Sequence, residues 1–218
     1  MTDTHDIQQL AVDLAAAMPK FDRTEQELSL ALLRELAHGA PVGIGRLTVA
    51  TSQRPEQTTA MLERLPGVFR DEQQRVVGFM GLTVVEMGEH RIHLHGRALS
   101  AWCAWDTLFL PDLLGETAGV TSRCPITGEQ ISLTVLPTGP ADLQPADVVV
   151  SFLLPEAEFD ASVIQRFCHF VHFFASSEAA AEWTAEHPRT FTLSVKEAYE
   201  LGQLTNRAVW SSATAARC

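Results

Sequence analysis

The segment WCAWD at residues 102–106 places a thiol, Cys103, three positions before a carboxyl group, Asp106. Residues three apart share one face of an α-helix, so a helical segment would bring the two side chains together. A thiolate binds soft metal ions, and a carboxyl group beside it can accept and donate a proton. The spacing also fits a small buried cysteine next to a helix-capping or ion-paired aspartate, which is the commoner situation for such a pair.

A second cysteine, Cys168, lies in the apolar segment FCHFVHFF at residues 167–174. We predict a short strand or extended segment here, which would place Cys168, Phe170 and His172 on one face. Cysteine and histidine together would suit a metal ion. The CHxxH pattern is not a standard zinc spacing, however, and histidines in apolar strands are often hydrogen-bonded core residues.

The remaining cysteines, Cys124 and Cys218, give weaker signals. Cys124 lies in RCPITG at residues 123–128, where Cys-Pro-x-x-Gly resembles half of a zinc knuckle whose other half the sequence lacks. We therefore predict a structural role for Cys124. Cys218 is the last residue, and we expect it in a frayed tail, with a shuttle role as the less favoured alternative.

The composition predicts an ordinary soluble globular protein of one or two domains, with 218 residues of which 46% are hydrophobic and 20% charged. A formal net charge of -11 would repel phosphate backbones, which argues against nucleic acid as a partner. The sequence has no apolar run of about 18 residues, and its first residues do not resemble a signal peptide. We therefore expect a cytoplasmic protein without a membrane partner, whose cysteines stay reduced.

The pattern of apolar and turn-forming residues predicts an α+β fold in two parts, residues 1–82 and 83–218. In the first part we expect a helix over 4–18 and another opened by a capping box of Thr24 and Glu27. Two short helices and a hairpin follow, a winged-helix-like arrangement. Its would-be recognition helix, PEQTTAMLERL, has one Arg and two Glu, so packing is favoured over DNA binding.

The second part mixes short strands with helices. SAWCAWDTLFL predicts a helix with Ser100 as its N-cap and Pro111 just past its end. Ser194 and Glu197 have capping-box spacing and would open a last helix that reaches about Trp210. Strands are predicted in TVVEM, RIHLH, TAGVTSR, QISLTVL and DVVVSFLL, and a helix in SEAAAEWTAEH.

Three segments resemble signatures of the alkylmercury (organomercurial) lyase family. SAWCAWDTLFLP is similar to a signature in which Ala-Trp-Cys-Ala precedes Asp-Thr-Leu, FCHFVHFFAS resembles the one with the other catalytic cysteine, and SRCPITG resembles that of a third, structural cysteine. Their order agrees, and the N-terminal helices resemble the family's winged-helix part. The chain departs from the family at Ser100, often Tyr, at Trp105, often aliphatic, and at His169, often a second Cys. These departures bear on substrate preference and pocket shape.

The resemblance implies an enzyme that cleaves carbon–mercury bonds by protonolysis and gives a hydrocarbon and Hg(II). Cys103 and Cys168 would bind mercury as thiolates, and Asp106 would contact Hg(II) and carry a proton to the carbon. No organic cofactor is implied, while low-molecular-weight thiols would release Hg(II) and mercuric reductase would receive it. The organic group would lie in an apolar pocket walled by three aromatic side chains, Trp102, Trp105 and Phe167.

Two other interpretations stay open. A winged-helix metal sensor would use Cys103, Cys124 and Cys168 as ligands without turnover, although the acidic charge and the nearby Asp106 count against it. A hydrolase would use a cysteine nucleophile with His172 as its base, although the sequence shows no oxyanion-hole motif. Release of a hydrocarbon from an organomercurial would separate the lyase from both.

Overall fold

A computed structural model describes residues 6–214 and shows helices at the N-terminus followed by a region rich in sheet. The predicted α+β class is confirmed. Within the described residues, no helix is both long and apolar enough to span a membrane. The helices are α1 (Ile7–Ala17), α2 (Arg23–Ala37), α3 (Ile44–Thr51), α4 (Pro55–Arg64), α5 (Asp106–Leu114), α6 (Val163–Arg166), α7 (Ser177–Glu186) and α8 (Val195–Thr214).

Eleven strands in the described part of the chain form two antiparallel sheets, with orders β1-β2-β3-β5-β4-β6-β7-β8 and β10-β9-β11. Helix α8 packs against α1 and α5, which joins the N-terminal helices to the core of the larger sheet. The strands are β1 (Phe69–Arg70), β2 (Val76–Phe79), β3 (Leu82–Thr83), β4 (Arg91–Leu94), β5 (Arg97–Ala101), β6 (Ala118–Arg123), β7 (Gln130–Leu136), β8 (Gly139–Gln144), β9 (Val149–Leu153), β10 (Phe173–Phe174) and β11 (Thr190–Ser194).

The N-terminal region contains the four helices and the hairpin that the sequence predicts. The capping box of α2 is formed by Asp22 and Glu25, so the prediction of Thr24 and Glu27 was wrong. Asp22 accepts the N–H of Glu25, and the Glu25 carboxylate accepts the N–H of Asp22, which starts the helix earlier. The hairpin continues through β3 into the sheet, because Leu82 pairs with Ala101 of β5. The winged-helix assignment and the boundary at residue 82 stay predictions.

The segment around Cys103 is not the predicted helix. Ser100 lies inside strand β5 instead of capping a helix, because its backbone pairs with Thr83 and its hydroxyl accepts the N–H of Met87. Residues 102–105 form a turn, and α5 begins only at Asp106. The helix runs through Pro111 and ends at Gly115, which adopts the left-handed conformation typical of a helix C-terminus.

The segment around Cys168 is not extended either. Val171 and Phe170 donate N–H bonds to the carbonyls of Cys168 and Phe167, which makes a single 3₁₀ turn over Cys168–Phe170. Only Phe173 and Phe174 form a strand. The alternating faces expected for residues 167–174 are therefore absent, and Cys168 is presented from a tight turn.

Candidate active site

Three predicted side chains meet in the structure. The sulfur atoms of Cys103 and Cys168 and a carboxylate oxygen of Asp106 all lie within 4.8 Å of one another, and all three residues are buried. Two thiols and a carboxyl group form a donor set suited to a soft metal ion, with a proton-transferring group in contact. The closeness inferred for Cys103 and Asp106 holds although the helix that suggested it is absent.

A short turn at the end of β5 positions Cys103 and Asp106. The N–H of Cys103 donates a 2.7 Å hydrogen bond to Oδ2 of Asp106 at the start of α5. The N–H of Trp102 donates a 2.9 Å hydrogen bond to the carbonyl of Gly81, which lies between β2 and β3. This bond attaches the turn to the larger sheet. The thiol and the carboxylate are thereby held on one rigid corner between a strand and a helix.

The second segment is fastened to the first by backbone contacts. The N–H of Ala104 donates to the carbonyl of Val171 at 3.1 Å, so the turn bearing Cys168 is joined directly to the turn bearing Cys103. The buried hydroxyl of Ser151, on β9, donates to the carbonyl of Phe170 and accepts the N–H of His172, at 2.8 and 3.0 Å. Ser151 is thus a positioning residue, and nothing in the strand pattern of DVVVSFLL distinguishes it.

Burial controls the protonation of all three groups. It raises the pKa of Asp106 to about 7, although hydrogen bonds from the thiol and N–H of Cys103 and the N–H of Trp102 lower it. Burial also raises the pKa of Cys103 well above its usual value, assisted by its hydrogen bond to Cys168. For Cys168 the hydrogen bond from Cys103 lowers the pKa, but burial and the charge of Asp106 outweigh it and leave the pKa raised. The hydrogen bond between the two thiols therefore favours the thiolate form at Cys168 and the protonated form at Cys103.

An apolar pocket opens onto the Asp106 and Cys168 side chains. The structure places the three predicted aromatic residues on its wall, where Trp105 donates to the carbonyl of Ala198 at 3.0 Å and is locked onto α8. The N-terminal helices close one side of the pocket through the residues that follow α1 and α4. The wall includes Met18, Pro19, Pro66, Gly67, Trp102, Trp105, Phe109, Phe159 and Phe167.

Gly81 is a site residue that sequence reasoning missed. Its φ of +91° lies in the left-handed region, and a Cβ built there would lie 2.5 Å from Cγ and Oδ1 of Asp106. Only glycine lets the backbone approach the carboxylate this closely. The signal available in the sequence was a glycine between two strand-like runs, which often marks a close backbone approach.

Two sequence comparisons decide the family. A model of the alkylmercury lyase family matches residues 85–206, and a model of the helix-turn-helix domain of alkylmercury lyase matches residues 9–80. Together they span both parts of the chain and contain all three clustered residues. The chain belongs to the alkylmercury lyase family.

Individual alkylmercury lyases agree with this assignment. The alkylmercury lyase of Staphylococcus epidermidis is 42% identical over 79% of this chain and 78% of its own length. That of Pseudomonas putida is 42% identical over 81% of this chain and 82% of its own, and that of Streptomyces lividans is 39% identical over 86% and 85%. A crystal structure of the mercury-bound form of MerB2 matches with a TM-score of 0.73 and 27% identity, covering 93% of this chain and 98% of that one.

Of the cysteines and histidines that the structure describes, only Cys103 and Cys168 belong to the cluster. Cys124 is buried and begins a turn, in which its N–H donates to the carbonyl of Glu129 and its carbonyl accepts the N–H of Gly128. Burial would raise its pKa, but hydrogen bonds from Thr127 and from nearby N–H groups outweigh this and lower it. His172 places Nε2 at 2.7 Å from the carbonyl of His169, so this nitrogen carries the hydrogen. Cys218 lies outside the described residues.

Proposed function

We propose that this protein is an organomercurial lyase that cleaves the carbon–mercury bond by protonolysis, giving a hydrocarbon and Hg(II). One observation carries the proposal: two thiols and a carboxyl group lie within 4.8 Å of one another at the edge of an apolar pocket. Mercury prefers two sulfur ligands, and its organic substituent prefers an apolar surface. The arrangement would hold both ends of an organomercurial together with a proton carrier.

The first step is capture of R–Hg⁺ by one thiolate. Cys168 suits this role, because a hydrogen bond from Cys103 stabilises its thiolate and because it lines the apolar pocket. Cys103 then adds as the second sulfur and passes its proton to Asp106. The second thiolate donates electron density to mercury, which makes the bound carbon more basic.

The second step is proton delivery to carbon. Asp106, whose carboxylate lies within 4.8 Å of the Cys103 sulfur, takes the proton from the Cys103 thiol and transfers it to the carbon as the carbon–mercury bond breaks. The raised pKa of about 7 suits a group that must both accept and give up a proton near neutral pH. The products are R–H and Hg(II) held by Cys103 and Cys168, with Asp106 in contact.

The organic group would lie against the aromatic side chains of the apolar pocket. Trp102 is held by an edge-on contact with Phe69 at 5.2 Å between ring centroids, and Phe167 contacts Phe159 at 4.9 Å. Rings held in this way exclude water from the breaking bond and present a fixed apolar wall. Trp105, where an aliphatic residue is common in the family, lines this pocket and would shape the range of accepted groups.

The reaction would involve small thiols and a second enzyme as partners. The reaction needs no organic cofactor, since two thiols and a carboxyl group balance it. Hg(II) held by two buried sulfurs would leave by exchange with low-molecular-weight thiols, and mercuric reductase would be the next enzyme to receive it. Nucleic acid is not expected as a partner, because the net charge is -11.

The test is direct. Purified protein is incubated with methylmercury and excess thiol, and methane and Hg(II) are measured over time. Stoichiometric methane and Hg(II) are expected. Tight binding of methylmercury with no methane above a protein-free control would show a mercury-binding protein instead and would overturn the proposal.

A further inference from the structure

Two different cavities meet at Cys168. The apolar pocket is lined by Trp102, Cys168 and Asp106. A second cavity of about 660 Å³, here called the polar cavity, also has Trp102 and Cys168 in its wall but not Asp106. Its volume falls in the range of small-molecule sites. The rest of its wall is mixed, with apolar surface from residues such as Pro125 and Ile164 and with polar or charged groups that the apolar pocket lacks. These groups include Glu89, His90, Arg123, Cys124, His169 and His172.

We propose that the polar cavity admits a low-molecular-weight thiol bearing both a carboxylate and an ammonium group, which removes Hg(II) by attack on the side of Cys168. This inference rests on the proposed function and adds the acceptor and its route. Substrate and acceptor would then reach the same metal through different cavities.

Access favours Cys168 as the point of attack. Cys168 is part of the wall of the polar cavity, whereas Cys103 is fully buried behind it at 0% exposure. A thiol entering the polar cavity meets the metal without crossing the apolar pocket, where few polar groups could solvate its charges. The organic product can leave through one cavity while the thiol enters through the other.

The charges of the polar cavity identify the kind of thiol. Its lining includes one guanidinium group, that of Arg123, and one carboxyl group, that of Glu89, and these side chains are 58% and 68% exposed. The closest charged atoms, Nε of Arg123 and Oε2 of Glu89, are 3.9 Å apart, a loose pair that contributes little by itself. A ligand with a carboxylate and an ammonium group can pair with both side chains at once, which a singly charged thiol cannot do.

The exchange conserves charge and atoms and involves no redox change. Hg(II) begins bound to the sulfurs of Cys103 and Cys168. One incoming thiol forms a new sulfur–mercury bond as the bond to Cys168 breaks, and its proton passes to Cys168. A second thiol displaces Cys103 in the same way, so that two thiols enter, the complex Hg(SR)₂ leaves, and both cysteines regain protons.

The experiment measures release from protein loaded directly with one equivalent of HgCl₂. Stopped-flow tryptophan fluorescence follows release by cysteine, cysteamine, 3-mercaptopropionate and 2-mercaptoethanol, each compared at equal thiolate concentration. Cysteine is expected to be fastest. The variant Arg123→Gln should lower the rates with cysteine and 3-mercaptopropionate by about two- to fivefold, the range of an exposed charge pair, and leave that with 2-mercaptoethanol unchanged. Arg46→Gln is the matched control, because Arg46 is also 58% exposed and pairs with Glu35 elsewhere.

A second variant tests the route itself. Gln165→Trp places a large side chain at the wall of the polar cavity, and Arg166→Trp, on the same helix, faces a different cavity. Slower release by all four thiols in the first variant alone supports the proposal. Equal release rates in Gln165→Trp and Arg166→Trp would overturn the proposal. It would also be overturned if the four thiols released Hg(II) from the wild-type protein at the same rate and Arg123→Gln had no effect. Because loading needs no cleavage, a failure of methane production would end the proposed function without affecting this measurement.

Discussion

The N–H of Cys103 donates a 2.7 Å hydrogen bond to Oδ2 of Asp106, so the backbone of Cys103 fixes the carboxylate that, in the proposed reaction, would take the proton from the thiol of the same residue. This bond needs only an oxygen acceptor. An asparagine side chain offers the same oxygen in nearly the same shape, but its amide cannot accept and return a proton. The structure therefore allows the geometry of the site and its proton chemistry to be separated by one substitution.

Asp106→Asn should retain Hg(II) binding and lose cleavage. Cys103 and Cys168 still supply two sulfurs, whereas loss of a general acid–base group lowers rates by about 10²–10⁴. Single-turnover release of benzene from a bound phenylmercury compound measures the effect, and thiolate–mercury absorbance measures binding. Cleavage at the wild-type rate would show that the proton comes directly from a thiol or from water.

The two clustered cysteines should be individually required. Cys103→Ser and Cys168→Ser are each expected to abolish turnover, because a hydroxyl does not replace a thiolate as a ligand of soft mercury. Cys218→Ser serves as the control and should keep full turnover. Full methane production by either of the first two variants would contradict the pairing.

Gly81→Ala should impair cleavage by displacing the carboxylate. The new Cβ would lie 2.5 Å from Asp106, and a misplacement of about 1 Å can cost about 10²-fold in rate. Gly96→Ala is the control, because Gly96 has a φ of +73° but open space around its Cβ position. Both variants share the backbone strain, so a drop in single-turnover rate confined to Gly81→Ala assigns the effect to the contact. Equal single-turnover rates in the two variants would show that Gly81 does not help to position the Asp106 carboxylate.

Much of the sheet was predictable because one face of its strands is buried. In β6 and β7 buried and partly exposed residues alternate, which is the signal that predicted TAGVTSR and QISLTVL. Strand β8 was missed, since GPADLQ contains Gly139 and Pro140, buries none of its side chains fully and exists through its pairing with β7. Of TVVEM, only Thr83 lies in a strand, because the chain bends away after it.

The conformation of the candidate site was harder to predict from the sequence than the sheet. Residues 99–111 are all buried, so the chain around Cys103 has no exposed face and no periodicity to distinguish strand, turn and helix. Its conformation is decided by partners distant in sequence, such as the carbonyls of Gly81 and Val171. The residues were identified through family signatures, while the contacts that bring Cys103 and Cys168 together required the fold.

Cys124→Ser should destabilise the protein without removing the catalytic groups. The buried sulfur accepts hydrogen bonds from the side chain of Thr127 and from the main-chain N–H groups of Ile126, Thr127 and Ala175, and disturbing such a site typically costs about 1–3 kcal/mol. Chemical denaturation and methane release are measured on the same preparation. Unchanged stability together with lost cleavage would show that Cys124 takes part in the reaction.

Two buried groups should make the stability of the protein depend on pH in opposite directions. Burial lowers the pKa of His90 to about 3, assisted by His172 and Arg91, while burial raises that of Asp106 to about 7. Between about pH 4 and 6.5 unfolding therefore adds a proton to His90 and removes one from Asp106. Each imbalance changes the free energy of unfolding by about 1.4 kcal/mol per pH unit, with opposite sign.

In wild-type protein these two contributions nearly cancel over that range, and single substitutions should expose each one. His90→Asn, which can keep the 2.8 Å bond to Ser122, leaves Asp106 unopposed, so stability relative to wild type should rise as the pH falls from about 6.5 to 4. Asp106→Asn leaves His90 unopposed, and its relative stability should fall over the same range. Urea denaturation at several pH values measures both slopes, and the double variant should return to the wild-type slope. Parallel curves for all four proteins would show that neither group titrates differently in the folded chain.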